Sequence, residues 1–389
     1  MTEPRNGPKT EPGAGSRLGP RTGPRTGPRT GPTDGPVYVS ALPARPNALD
    51  AYDRLAPEVR AAVTPLWTVP PRVGRERTPG SRAPHPPDPD PVALGLHTHR
   101  ALNRIARVQR GRPAWVDTRH VESEPRSLRF GPTLPALRPV TGIERPAWQQ
   151  VACAEAARAE GGGLGLRIRP AAPPDESQAE GVRRLLERTA FAGCPVDLLL
   201  DLGAVDEHPG AYDTALHALN LLGPLHPWRT VVLLAGSFPR AHPHGPVAPL
   251  AETHRADRDL VGRLRRTAGG HAPRIVPGDY GAHDAASADR VSDTGEDPFR
   301  GALRYTAAHA FLVGGVPAEP DHHVTVRALA RQIVTAPDFR GAEYSAGDRW
   351  LRSCADGRGL AGTGHPDVWI CVGHIQHLTH TARELRRSP

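Results

Sequence analysis

Two segments, VDLLL (196–200) and TVVLL (230–234), are almost unbroken apolar runs, each followed by sequence of helical period. A strand that is apolar on both faces belongs in a parallel sheet covered on both sides, and parallel strands need long, usually helical, crossovers. That constraint selects an α/β architecture, and the rest of the chain repeats the same unit. VYVSALPA leads into NALDAYDRLAPEVRAA, and VTPLWTVPP precedes ALNRIARVQ; PAWVDTRH comes next. LRPVTGIER leads into AWQQVACAEAARAE, and GLGLRIRP into AEGVRRLLERTA. VDLLLDLGAV precedes AYDTALHALNLL, TVVLLAGSFP precedes ADRDLVGRLRRT, and RIVPGDYG follows. These strands, eight up to Gly281, predict a (β/α)8 TIM-like barrel.

An open doubly wound sheet is the runner-up, but no GxGxxG follows the first strand. GGGLG (161–165) comes after a helix and before a strand, so it reads as a connecting loop. Beyond Gly281, LRYTAAHAFLVGG predicts one or two further strands, VTVRALARQIV and DRWLRSCA predict helices, and VWICVG predicts another strand. A barrel of eight has no place for all of these, so the C-terminal region decorates it. Spacing does not decide which run is the eighth strand.

The expected organisation is a disordered Gly/Pro/Arg/Thr-rich tail over 1–36 and a single barrel domain over 37–389, with a Pro-rich loop at 72–91. In the tail, GPRT recurs from Gly19 with nothing apolar to bury. Arg21, Arg25 and Arg29 recur evenly enough to form a phosphate-binding arm, but a neutral tail is the favoured reading. The formal charge of +8 leaves nucleic acid open as a partner. It does not select one, because Lys9 is the only lysine and the arginines are scattered along the sequence. Cys153, Cys194, Cys354 and Cys371 are far apart and suggest neither a zinc ribbon nor a disulfide framework. With no apolar signal segment and no membrane-spanning run, the expectation is a soluble cytoplasmic protein with no membrane partner.

The residues that end the strands carry the chemistry. Asp117 is followed by Arg119 and His120; Glu144 and Arg145 close the fourth strand, Arg167 and Arg169 the fifth, and Asp201 the sixth. Ser237 closes the seventh, Asp279 and Tyr280 the eighth, and Arg304 and Tyr305 open the next. In a barrel these ends share one mouth, where catalytic groups sit. The alternative for any one of them is a turn or cap residue. GDY at Asp279 and GDRW at Asp348 and Trp350 predict tight turns with a carboxylate at the tip. Carboxylates suit acid–base work or a divalent cation, which is the one cofactor in view, and arginines suit a small anionic ligand.

HIQHLTH places His374, His377 and His380 three residues apart. Successive members advance by about 300° on a helix, so the three fan out rather than converge on one zinc. HExxH is absent, and AGSFP lacks the second glycine of a serine-hydrolase elbow. His374, after Gly373, is expected at a strand-to-helix turn where a helix N-terminus lowers its pKa; His377 assists and His380 faces outward. The competing reading is a polar helix face with one packed histidine.

In order and spacing, VYVSALPARPNALDAYDRLAPEVRAAVTPLWTVPP, PAWVDTRH, VDLLLDLGAV, WRTVVLLAGSFP, PGDYG, LRYT, YSAGDRW and HIQHLTH resemble the beta family proteins, named after a protein of a tailed bacteriophage. The resemblance spans nearly everything from Val37 onward. It implies a setting of phage–host conflict and no established reaction. The chain departs from the family at Gln376, where a second adjacent histidine is common, so no His-His pair is implied. The functional expectation is a hydrolase acting on a small anionic or phosphorylated substrate. Its expected catalytic residues are Asp117, Asp201, Asp279, Tyr280, Asp348 and His374. Arg145, Arg167, Arg169, Ser237, Arg304, Tyr305, Trp350 and His377 are the expected substrate contacts. The alternative is a non-catalytic protein that recognises a phage component or nucleic acid.

Overall fold

The computed structural model describes residues 36–72, 91–122, 136–171, 174–189, 194–206, 208–239, 250–267, 275–287, 299–318, 321–357 and 362–387. The tail and the Pro-rich loop, but for Pro36, Arg72 and Pro91, lie outside the described residues.

Eight parallel strands close a barrel: β1 (Tyr38–Pro43), β2 (Val63–Thr68), β3 (Ala114–Asp117), β4 (Leu137–Thr141), β5 (Leu164–Ile168), β6 (Val196–Ala204), β7 (Thr230–Gly236) and β9 (Ile275–Asp279). β1 pairs with β2 on one side and with β9 on the other, Val39 opposite Gly278 and Ser40 opposite Asp279. The open sheet is therefore excluded, and the eighth strand is the IVPGD run.

Helices α1 (Pro46–Asp53), α2 (Pro57–Ala62), α3 (Pro91–Gln109), α4 (Ala147–Glu160), α5 (Glu176–Thr189), α6 (Ala211–Leu222) and α7 (Ala256–Thr267) lie between barrel strands. NALDAYDRLAPEVRAA makes two helices rather than one, because Pro57 cannot continue α1 and instead opens α2.

The barrel strands are apolar on both faces, as their sequence requires. Val39, Ala41, Leu66, Trp115, Val140, Leu199, Val232, Leu234 and Tyr280 pack together inside. The alternate positions face the helices; Leu198, Leu200, Val231 and Leu233 pack with the apolar sides of α4 to α7.

The remaining elements form a second layer of structure. β8 (Ala251–His254), which the sequence did not suggest, joins β10 (Phe299–Thr306) and β11 (Ala310–Pro317) in an antiparallel sheet of order β10-β11-β8. α8 (His322–Thr335) and α9 (Ala346–Asp356) pack with this sheet through Leu303, Tyr305, Val326, Leu329, Ile333 and Leu351. α10 (Pro366–Arg387) completes the chain. VWICVG is thus part of a helix and not a strand, since Trp369, Val372, Ile375 and Leu378 are all buried and the helix has few exposed positions. Tyr38, Leu42, Ile375 and Leu378 share one apolar cluster, which seats α10 on the outside of β1. Among the described residues no helix is long and apolar enough to cross a membrane.

Candidate active site

The inward-facing residues at the C-terminal end of the barrel are charged. Alternation carries β3 from the inward Trp115 to Asp117, β5 from Gly165 to Arg167 and β6 from Leu199 to Asp201. Tyr280 enters just past β9, across Gly236, where a Cβ would come within 2.7 Å of its ring.

Arg167 is the hub. Its Nη1 donates to Asp117 Oδ2 at 2.8 Å, and its Nε and Nη2 both donate to Asp201 Oδ2, at 2.9 and 2.6 Å. The Tyr280 hydroxyl donates to Asp201 Oδ1. Arg145 reaches Asp117 Oδ1 at 2.9 Å, Glu122 Oε2 at 2.9 Å and Glu144 Oε1 at 2.8 Å. Arg119 Nε lies 3.1 Å from Asp117, and Arg169 Nη2 lies 3.4 Å from Asp201. Arg167 and both aspartates are buried, whereas the Arg169 side chain is 60% exposed and that of Arg119 is 19% exposed. The guanidiniums therefore run from the barrel interior out to solvent.

Burial alone would raise the carboxyl pKa values. For Asp117 the guanidiniums of Arg145, Arg119 and Arg167 outweigh burial and hold it far below the usual range. Asp201 is drawn to about 2, burial being overcome chiefly by Arg167 and Arg169. Burial, and then the neighbouring Asp201, push Tyr280 well above an ordinary phenol. Glu122 moves the other way: burial raises it, and Arg145 offsets only part of that. It also accepts from Thr118 at 2.7 Å and Gln149 at 2.9 Å. At neutral pH the aspartates are thus weak bases that orient cations, Tyr280 keeps its proton, and Glu122 is the mouth carboxyl displaced toward neutrality.

The other expected site residues lie elsewhere. Asp279 is adjacent to Tyr280 and so faces the opposite way, out of the barrel toward α10. It accepts from Tyr38 OH at 2.5 Å, Ser40 Oγ at 3.0 Å, the Gly281 amide at 2.8 Å and His377 Nε2 at 2.8 Å. His377 Nδ1 pairs with Thr306 Oγ1 at 2.8 Å. Burial would raise Asp279, but His377 and the hydrogen bonds lower it. His374 sits about two turns inside α10 and not at its start, so no helix N-terminus acts on it. Its Nδ1 accepts from the Ala282 amide at 3.2 Å, and burial first, then His377 and Arg304, lower its pKa to about 3. Gly281, at φ +65°, allows this approach, since a Cβ there would meet the imidazole at 2.6 Å.

His380 is buried and does not face outward. Ser237 points out of the barrel and donates to Asp257 at the start of α7. The Arg304 guanidinium lies 5.7 Å from the Phe238 ring centroid. Tyr305, Asp348 and Trp350 belong to the α8–α9 layer. The Tyr305 hydroxyl donates to Asp338 O at 3.3 Å, and Trp350 packs against the apolar cluster there. Asp348 exchanges hydrogen bonds with Ser345, at 2.5 and 3.1 Å, as a helix cap. Neither Gly-Asp pair forms a tight turn with the carboxylate at its tip: one ends a strand and the other opens a helix.

The mouth therefore unites Asp117, Arg145, Arg167, Arg169, Asp201 and Tyr280, and adds Arg119 and Glu122. Glu122 follows Asp117 by one short 3-10 turn (Arg119–Val121), a spacing that DTRHVE would have allowed. Among the described residues no group of three His, Cys, Asp or Glu is arranged to hold a metal ion. The oxygens of Asp117 and Asp201 are occupied by guanidiniums, two backbone amides and a phenol.

Compared with known families, the chain matches the model described as Beta protein over residues 38–383. No curated protein and no solved structure gives a match. A match of that extent shows that the chain belongs to the beta protein family.

Proposed function

We propose that this member of the beta protein family binds a small anionic, phosphorylated substrate in the barrel mouth and hydrolyses it. One observation carries the reading. Two buried aspartates and Tyr280 fix Arg167 and Arg145 at the C-terminal strand ends, while Arg169 and Arg119 extend toward solvent. An exposed guanidinium such as that of Arg169 captures an anion, and fixed ones orient it. Acid–base work falls to Glu122, whose pKa is raised by burial, while Tyr280 commits its one hydroxyl proton to Asp201 and so holds that carboxylate in place. The four cysteines, buried and unpaired, support a cytoplasmic setting; a role in phage–host conflict is implied by the sequence resemblance alone.

A second reading is favoured by the low pKa of both aspartates: the mouth recognises its anion without converting it. Calorimetry and turnover assays with a panel of nucleotides and phosphoesters separate the two. Arg169→Ala is expected to weaken binding at least ten-fold with the melting temperature unchanged. Glu122→Gln is expected to bind but not turn over. A wild-type protein that binds without product release selects the second reading, and failure of the whole panel to bind overturns both.

A further inference from the structure

The arginines are scattered in sequence, but α3 gathers three of them. At about 100° per residue, Arg100, Arg104 and Arg107 fall within an arc of about 60°. They lie away from Leu94, Leu102 and Ile105, which pack against the barrel, and all three are exposed. Arg112 is exposed just beyond the helix. From Val92 to Val116 the chain contains no Asp or Glu. Arg110 is paired, with Asp53 at 2.7 Å, but Arg100, Arg104, Arg107 and Arg112 make no ion pair among the described residues. α5 differs, since Arg183 meets Glu176 and Glu180 at 3.5 and 3.3 Å and Arg184 meets Glu180 at 3.8 Å.

We propose that this face of α3 docks the phosphate backbone of a nucleic acid. The three arginines extend over about 10 Å of helix axis, the axial rise of three successive phosphate-to-phosphate steps on one strand of a duplex. Arginine holds a phosphate with paired donors, and uncompensated charge on one face supplies the attraction. The face offers little to read bases with, because Asn103 is engaged with His99 at 2.9 Å, so binding is sequence-independent. α3 ends shortly before β3 begins, so its arginine half lies at the N-terminal end of the barrel strands, away from the mouth. The proposal does not rest on the hydrolytic reading.

Fluorescence anisotropy of the full chain with a labelled DNA duplex, read from 50 to 200 mM KCl, tests it. Each phosphate contact adds about 0.9 to the slope of log affinity against log salt. Replacing all three residues (R100A/R104A/R107A) should lower the slope by about 2.7, so that over this range the wild type loses about forty-fold more affinity than the variant. R183A/R184A should leave the slope unchanged. If the triple variant fails to fold, as judged by circular dichroism, Arg104→Gln alone should lower the slope by about 0.9. Equal slopes for wild type and the arginine variants overturn the proposal, as does a wild type that fails to bind DNA at 50 mM KCl. Loss of binding to phosphatidylserine vesicles with an unchanged DNA slope also overturns it.

Discussion

Arg167 shows how a charge is kept inside a barrel. It lies on β5 among residues that are otherwise apolar, and it persists there because Asp117 and Asp201 both face it. Burial would lower its pKa, but the two aspartates raise it further still. Removing the guanidinium leaves two carboxylates competing for fewer cations, so Arg167→Met is expected to cost about 3–5 kcal/mol in urea denaturation. Arg167→Met combined with Asp117→Asn and Asp201→Asn should recover much of that, since the unpaired charge drives the loss. Two buried histidines respond to acid. His374 and His380 are lowered by burial to about 3 and about 2, against about 6.5 in the unfolded chain. The unfolded state therefore binds more protons below pH 6.5. Stability is complete above that value and falls as pH drops, by about 2 kcal/mol per histidine between pH 6.5 and 5. Asp117 and Asp201, lowered in the fold, add a second loss only below about pH 4. Denaturation midpoints across pH should show both steps, and His374→Gln with His380→Phe should flatten the first.

Elements were legible where burial left a pattern. The barrel strands could be read because each is a short apolar run between turns and helices. The first turns of α10 could not, because a helix buried on most of its surface loses the 3.6 period that marks it, and VWICVG then looks like a strand leading into the helix of HIQHLTH. β8 is four residues long with a polar, partly exposed pattern, and exists only by pairing with β11 about sixty residues later. The site was half legible for a related reason. Adjacent strand residues face opposite ways, but both faces of a barrel strand are apolar, so composition does not tell which parity points inward. Hence Asp279 and Tyr280 were grouped although they part at the sheet, as were Ser237 and the mouth residues. Gln376 illustrates how α10 is fixed: its amide accepts from the Thr306 N–H at 2.8 Å and donates to the Thr306 carbonyl at 2.9 Å. Gln376→Ala strands two buried backbone groups, so a loss of about 1–3 kcal/mol is expected, with faster hydrogen exchange at the Thr306 amide.

At the scale of the molecule, two polar clusters sit on either side of the β9–β1 seam. The inner one faces the mouth and the outer one joins the barrel to α10. Where no buried charge is removed, substitutions in the first should alter ligand binding and those in the second stability; comparing melting curves with binding isotherms for Tyr280→Phe and His377→Gln checks this division. The outer cluster has a consequence for how the chain is made. Tyr38 on the first strand meets its imidazole partner 339 positions later. A ribosome must therefore release every residue from Tyr38 to His377 before that seam can be covered. Until then the outer face of β1 has no α10 over it, so the last helix laid down closes over the first strand.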